Sequence, residues 1–224
     1  MKIALIGATG FVGAAVLEES IARGHAVTAL ARNPNALAPR PLLSARVLDA
    51  YDAAAVASAV AAHDAVVSAF NPGWNAPELY AQFMKGSNAI VRGVEQANVK
   101  RFVIVGGAGS LFVAPGVQLV DTPAFIEHVP ANILPGAQAA RDALTELRRN
   151  TTLDWTFVSP PAFLAPGPRT GKYRVGGEQL LMAGEQPAGI SVADLAVAIV
   201  DELEKPQHVR ARFTVANVEA AGAA

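Results

Sequence analysis

The chain contains no cysteine. That excludes disulfides, thiolate nucleophiles and cysteine-ligated metal sites at once. Its four histidines, His25, His63, His128 and His208, show no metal-ligand spacing, so no metal site is expected. Charge is scarce: 17% of residues are charged and the formal net charge is −1. Bulk electrostatics therefore argue against nucleic acid or an anionic membrane surface as the main partner. No apolar run approaches the ~20 residues that a membrane helix needs. No G-x-S-x-G elbow is present, which removes the usual hydrolase nucleophile. The stretch Gly167-Pro168-Arg169-Thr170-Gly171-Lys172 imitates a P-loop, but it is one residue short. Tyr173 also stands where a magnesium-binding Ser or Thr belongs. Residues 1–6 resemble the apolar part of a leader only briefly. The run breaks at Gly7 without a cleavage site, so it reads as a first strand and a cytoplasmic setting is expected.

What is abundant is apolar surface, at 52% of 224 residues. That proportion suits a parallel sheet covered by helices on both faces, and the length suits one core. Short apolar runs alternate with helical patterns along the chain. Strands are expected at 2–6, 25–31, 45–48, 65–70, 101–105, 155–158 and 212–215. Helices are expected at 12–23, 52–62, 79–97 and 138–149, and from a Ser191 cap through Leu203. Gly24 reads as a helix C-cap. Residues 106–135 and 159–177 read as long structured loops, and 219–224 as a frayed tail. Alternation of this kind implies βαβ units and an α/β fold, a Rossmann-type doubly wound parallel sheet in a single domain spanning 1–224.

The most informative motif is Gly7-Ala8-Thr9-Gly10-Phe11-Val12-Gly13, at the exit of the first strand and the entry to the first helix. Glycines here allow a tight turn, a close approach of backbone amides to a pyrophosphate, and close helix–strand packing. The helix N-terminus then offers unpaired N–H groups and the positive end of its dipole to the anion. Strand–turn–helix context makes the motif specific; glycine spacing alone would not. An NAD site places Asp or Glu at the end of the second strand for the ribose 2′-hydroxyl. This chain has Ala31-Arg32-Asn33 instead. Arg32 can bind the 2′-phosphate of NADP with two charge-assisted hydrogen bonds, so NADPH is expected in preference to NADH. Asp49 can accept from the adenine amino group; a turn-initiating Asp is an equally good reading.

With Gly7–Gly13, Arg32 and Asp49 stand Ser68-Ala69-Phe70 and Val105-Gly106-Gly107-Ala108-Gly109-Ser110. Together they resemble the atypical short-chain dehydrogenase/reductase group. The later stretches Leu153-Asp154-Trp155-Thr156-Phe157-Val158-Ser159-Pro160, Gly171-Lys172-Tyr173-Arg174 and Ile190-Ser191-Val192-Ala193-Asp194 resemble its NAD(P)H-binding branch. That branch is provisionally described as NADH-flavin reductases and is related to the NmrA-like proteins and the biliverdin/flavin reductases. The resemblance covers nearly the whole chain and implies cofactor contacts at Gly7, Thr9, Gly10, Phe11, Val12, Gly13, Arg32, Asp49, Ala69, Phe70, Gly106, Ser159 and Pro160.

Standard members use Tyr-x-x-x-Lys as proton donor. Tyr51, Tyr80 and Tyr173 are followed four residues on by Ala55, Met84 and Gly177, so the pair is missing. Alcohol–ketone chemistry thereby loses its general acid. A flat, conjugated acceptor such as a flavin does not need one, which makes NADPH-dependent reduction of such an acceptor the expected function. A non-catalytic NADP(H)-binding regulator of the NmrA-like kind and an epimerase- or dehydratase-like isomerase are the alternatives. In open α/β sheets ligands bind outside the carboxyl ends of the strands. That places Asn71, Trp74 and Phe163 beside a planar substrate, unless the aromatic rings are ordinary core. Ser110 and His128 are the candidate catalytic groups, against the readings of a turn serine and a surface histidine. Homodimerisation is left open.

Overall fold

The computed structural model describes residues 1–218, so the tail expected at 219–224 lies outside the described residues. In chain order the elements are β1 (Lys2–Ile6), α1 (Phe11–Ala22), β2 (Ala26–Ala31), β3 (Leu43–Val47), α2 (Ala53–Val60), β4 (Ala65–Ser68), α3 (Leu79–Gln96) and β5 (Arg101–Val105). They continue with β6 (Phe112–Ala114), β7 (Val117–Gln118), α4 (Pro123–His128), α5 (Leu134–Leu147), β8 (Asp154–Ser159), β9 (Phe163–Ala165) and β10 (Tyr173–Gly176). Last come β11 (Met182–Ala183), β12 (Gln186–Pro187), β13 (Gly189–Ser191), α6 (Val192–Glu204) and β14 (Ala211–Asn217).

Eight strands form one sheet in the order β10-β14-β8-β5-β4-β1-β2-β3. Every neighbouring pair is parallel except β10–β14, which is antiparallel at one edge. The chain runs outward from β1 to β3, then returns to β4 on the other side of β1. The crevice of a doubly wound sheet opens at that reversal. Alternating side chains serve the two faces. Ile3, Leu5, Val67, Val103 and Val158 pack under α1 and α6 with Val16, Leu195 and Ile199. Ala4, Ile6, Val66, Phe102 and Phe157 pack under α2, α3 and α5 with Val56, Ile90 and Leu144. Each large side chain removed from water in this way contributes roughly 1.5–3 kcal/mol. The two-sided burial explains the apolar-rich composition.

Several boundaries follow from local chemistry. Asp52 caps α2 by accepting from the Ala54 and Ala55 amides, and Ser191 caps α6 by accepting from the Asp194 amide. Gly24, with φ +81°, follows α1 and releases the chain into β2. Helix α5 starts at Leu134, four residues before the expected Gln138. Pro135 and Gly136 look like breakers, but a proline is tolerated in a first helical turn, where its missing N–H has no partner to lose. Strand β10 was not expected within 159–177. As an edge strand it is buried on neither side strongly enough to leave an apolar run, and Arg174 breaks its pattern. The region 106–135 contains β6, β7, α4 and two short 3-10 turns, Ala108–Ser110 and Leu119–Asp121.

Candidate functional site

The β1–α1 loop lies against the end of β4. The Gly7 amide donates to Leu30 O and the Ala69 amide to Ile6 O, both at 2.9 Å, so the ends of β1, β2 and β4 are level. The three glycines have different duties. A Cβ on Gly7 would fall 2.6 Å from Ala69 O, and one on Gly13 would fall 2.0 Å from Gly7 O. Both positions are closed by the chain itself. A Cβ on Gly10 would meet only Gly7 O at 3.3 Å, and Gly10 is exposed. Gly10 is the residue before α1, has no side chain to cap it, and leaves the Phe11, Val12 and Gly13 amides without an acceptor among the described residues. Thr9 and Phe11 are exposed beside them and Val12 is half-buried. Unpaired N–H groups at a helix N-terminus are donors of the kind an anion accepts from.

Arg32, just past β2, is exposed and forms no ion pair among the described residues. Its one hydrogen bond is a long 3.5 Å contact from Nη2 to Pro72 O. Asp49 takes the turn role: its Oδ1 accepts from the Tyr51 amide at 2.9 Å. Tyr51 itself is unanticipated. Its hydroxyl donates to Gln82 Oε1 at 3.1 Å, its ring meets Phe70 edge-on at 5.8 Å, and the Lys85 ammonium sits 5.5 Å from its centroid. Burial raises the Tyr51 hydroxyl above its usual range, against the opposing pull of Arg32.

At the ends of the other strands the expected residues divide. Phe70 turns back onto α3, where Gly86 leaves room for its ring: an added Cβ would lie 2.3 Å from Phe70 Cζ. It thereby walls a cavity of about 270 Å³ between α3, α5 and the sheet, which also touches Ser68 and Gly106. That cavity lies on the α3–α5 face of the sheet. Gly106 is required by Phe157, whose ring would lie 2.0 Å from a Cβ there. Asn71 accepts from the Gly73 amide at 2.7 Å in a local turn. Trp74 is 48% exposed, lies over Gly136 and lines a wide cleft with Tyr80, Asn132 and Pro135. Phe163, in β9, is 59% exposed and lines neither of these two spaces. His128 stands at the exposed end of α4, with Nδ1 bonded to Ala124 O at 2.8 Å.

Ser110 and Ser159 are brought together, although far apart in sequence. Both are buried, as is Pro160, and both hydroxyls accept from Arg212 Nη1, at 3.2 and 3.3 Å. Arg212 Nη2 donates to Glu178 O at 3.1 Å and to Glu178 Oε2, while Arg148 Nη2 grips the same carboxylate at 2.7 Å. The Arg212 side chain is fully buried and its Nε has no partner among the described residues. Burial holds Arg212 below the usual arginine range, opposed by Glu178. Burial alone would push Glu178 up, but Arg212 and Arg148 hold it below the usual carboxylate range.

Residues 7–206 match the family described as NAD(P)H-binding. The chain belongs to that family. It is 38% identical over 218 residues to the uncharacterised protein YwnB of Bacillus subtilis, covering 96% of this chain and 98% of that one. Among solved structures, a Bacteroides thetaiotaomicron protein provisionally called an epimerase superposes with TM-score 0.90 at 41% identity, over 99% of both chains. A Streptococcus pneumoniae protein provisionally called an NADH-flavin reductase superposes with TM-score 0.82 at 33% identity, covering 97% of this chain and 100% of that one. These matches agree with the resemblance drawn from the motifs.

In this NAD(P)H-binding protein the residues present fit a nicotinamide dinucleotide. The three free amides of α1 suit its pyrophosphate, and no carboxylate follows β2 to oppose a 2′-phosphate. Among the described residues no group of three or more His, Asp or Glu is placed to hold a metal ion. No helix among them is long and apolar enough to cross a membrane. Arg212 and Glu178 carry no motif that marks them in the sequence. The available signal is Arg212 within a strand pattern whose neighbours Phe213 and Val215 are apolar, since a buried cation demands a polar or charged partner.

Proposed function

We propose that the protein is an NADPH-dependent oxidoreductase acting on a flavin or a similarly flat, conjugated acceptor. The observation that carries this reading is the N-terminus of α1, whose first three amides have no acceptor among the described residues, together with an Arg32 that pairs with no carboxylate among them. Bound NADPH would supply a hydride from its nicotinamide ring to the acceptor, for a flavin at N5.

The remaining work belongs to the chain. The Phe11, Val12 and Gly13 amides hold the pyrophosphate, with Thr9 at the loop's exposed side. Arg32 reads the 2′-phosphate and favours NADPH over NADH. Asp49 spends one carboxylate oxygen on its turn and keeps the other for the adenine side. Ala69, Phe70 and Gly106 form the backbone rim beneath the cofactor, and Ser159-Pro160 closes it at the nicotinamide half. Trp74 and Phe163, both exposed, supply ring surface against which a planar acceptor stacks. The buried Ser110 acts through position, since its hydroxyl already faces Arg212. A flavin's N1 proton exchanges with solvent, so the reaction asks for ring positioning and exclusion of water rather than a protein acid. This accounts for a fold that lacks the Tyr-x-x-x-Lys pair. The Streptococcus pneumoniae relative's name supports the acceptor class.

Steady-state NADPH oxidation with FMN, FAD and a quinone tests the proposal. Turnover of more than one acceptor is expected. Tight NADPH binding with no turnover of any acceptor would replace the enzyme with a non-catalytic binding regulator.

A further inference from the structure

The Arg212 cluster is more than a brace. Its guanidinium, carried by β14, meets the end of β8, which carries Ser159, and the turn after β5, which carries Ser110. Glu178, just past β10, is the acid partner, and its backbone oxygen accepts from the Phe112 amide at 2.9 Å as well as from Arg212. The guanidinium is fully buried, whereas the Glu178 side chain is 40% exposed and Arg148 is 48% exposed. Two guanidinium groups share one carboxylate. The buried Arg212 guanidinium therefore lies inward, against the hydroxyls of Ser110 and Ser159, while its counter-ion Glu178 lies toward the surface, where it is shared with Arg148.

A dinucleotide on a doubly wound sheet spans the crevice, with one mononucleotide on each half of the strand order. The exposed Arg32 beyond β2 assigns the adenosine to the β1–β3 half. The nicotinamide would then lie on the β4–β5–β8 half, the half that carries Ser159. The oxidised nicotinamide ring carries a positive charge and the reduced ring carries none. A buried cation in that half of the sheet would act on the ring through low-dielectric protein with little screening from salt. It penalises the oxidised ring alone.

We infer that Arg212 is a positioning residue whose buried charge, set against Glu178, biases this site toward the reduced cofactor. The inference rests on the cofactor placement proposed above, and it does not require that any acceptor be reduced. Neutralising the cation and neutralising its counter-ion must act in opposite directions, which a purely structural role would not produce.

The test is titration calorimetry of the full chain with NADPH and with NADP⁺. The wild type should bind NADPH more tightly. Arg212→Met should lower the ratio of the NADP⁺ to the NADPH dissociation constant by at least about fivefold. Arg212→Lys should keep the ratio within about twofold, because the charge remains. Glu178→Gln should raise the ratio, because the cation loses its screen. Glu178→Gln keeps an amide oxygen in place of the carboxylate, and Ser110, Ser159 and the residue 178 main-chain oxygen still accept from Arg212, so this variant carries the test even where Arg212→Met does not fold. A ratio unmoved by Glu178→Gln, or moved the same way by both neutralisations, overturns the inference. If NADPH binds, the ratio responds as stated and no acceptor turns over, the reductase proposal fails while this inference stands. If NADPH does not bind at all, both fail.

Discussion

Substituting the three loop glycines one at a time should separate folding from cofactor binding. Gly13→Ala puts a Cβ 2.0 Å from Gly7 O and 2.8 Å from Gly7 C, a backbone clash that no side-chain rotation relieves. Gly7→Ala adds a contact of 2.6 Å with Ala69 O to a φ of +81°, a region that L side chains rarely adopt. Overpacking of this kind typically costs 1–3 kcal/mol, and the left-handed backbone adds roughly 1 kcal/mol at Gly7. Gly10 is different. Its φ of −80° and ψ of 171° suit any residue, and the one close atom, Gly7 O, is 3.3 Å away. Gly10→Val should therefore change stability by less than about 1 kcal/mol, partly offset by the lower entropy of its unfolded chain. Its side chain would nevertheless stand before the free amides of α1. Losing even one charge-assisted hydrogen bond costs about 1.5–3 kcal/mol, so NADPH affinity should fall by at least about 10-fold and more if the pyrophosphate is displaced. Thermal melting and calorimetric titration of the three variants read both quantities. A Gly10→Val protein that melts as low as Gly13→Ala, or that binds NADPH as well as wild type, would refute this division of duties.

Arg32→Ala should weaken NADPH binding about 10- to 100-fold and leave NADH binding nearly unchanged, since one charged hydrogen-bonding group is removed; equal losses measured for both cofactors would show that Arg32 does not read the 2′-phosphate. His128→Ala and Ser110→Ala should each lower kcat by less than about 100-fold, the low end of general acid–base catalysis. Trp74→Ala should instead raise the acceptor KM, and a larger kcat loss at His128 than at Trp74 would reveal a proton donor. Glu19, Glu178 and Glu202 all titrate below the ordinary glutamate value of 4.5 in the folded chain, each held there by arginine or, at Glu202, by His208 and its neighbouring amides. The unfolded chain therefore takes up these protons first as pH falls. The stability they contribute is present above about pH 4.5 and lost below it, which melting curves across that range would show as a falling Tm.

The strand–helix alternation was legible because both faces of the sheet are buried, which leaves apolar runs in every central strand. The edge strand β10 was not, since Tyr173–Gly176 is half-exposed and keeps a charged residue in its middle. The start of α5 was hidden by Pro135, which a first helical turn tolerates, and by Gly136, where a Cβ would meet Leu79 and Trp74 at 3.0 Å. Around the site, the Gly7–Gly13 loop announces its own geometry because its function lies in local backbone. Phe70 could not be placed from sequence: whether its ring meets a ligand or the core is decided by Gly86, which lies on a different element. Arg212 was hidden for the same reason. Its meaning depends on Ser110, Ser159 and Glu178, each more than thirty residues away, and only the sheet order joins them.

The most direct test of the reductase account is an anaerobic single turnover. NADPH is bound to the protein, mixed with FMN, and the nicotinamide and flavin absorbances are followed together in a stopped-flow instrument. The account predicts that both fall in step, with one flavin reduced for each NADPH consumed, faster than in the absence of protein. Bound NADPH that stays unoxidised beside an oxidised flavin, with a quinone giving the same result, would contradict it.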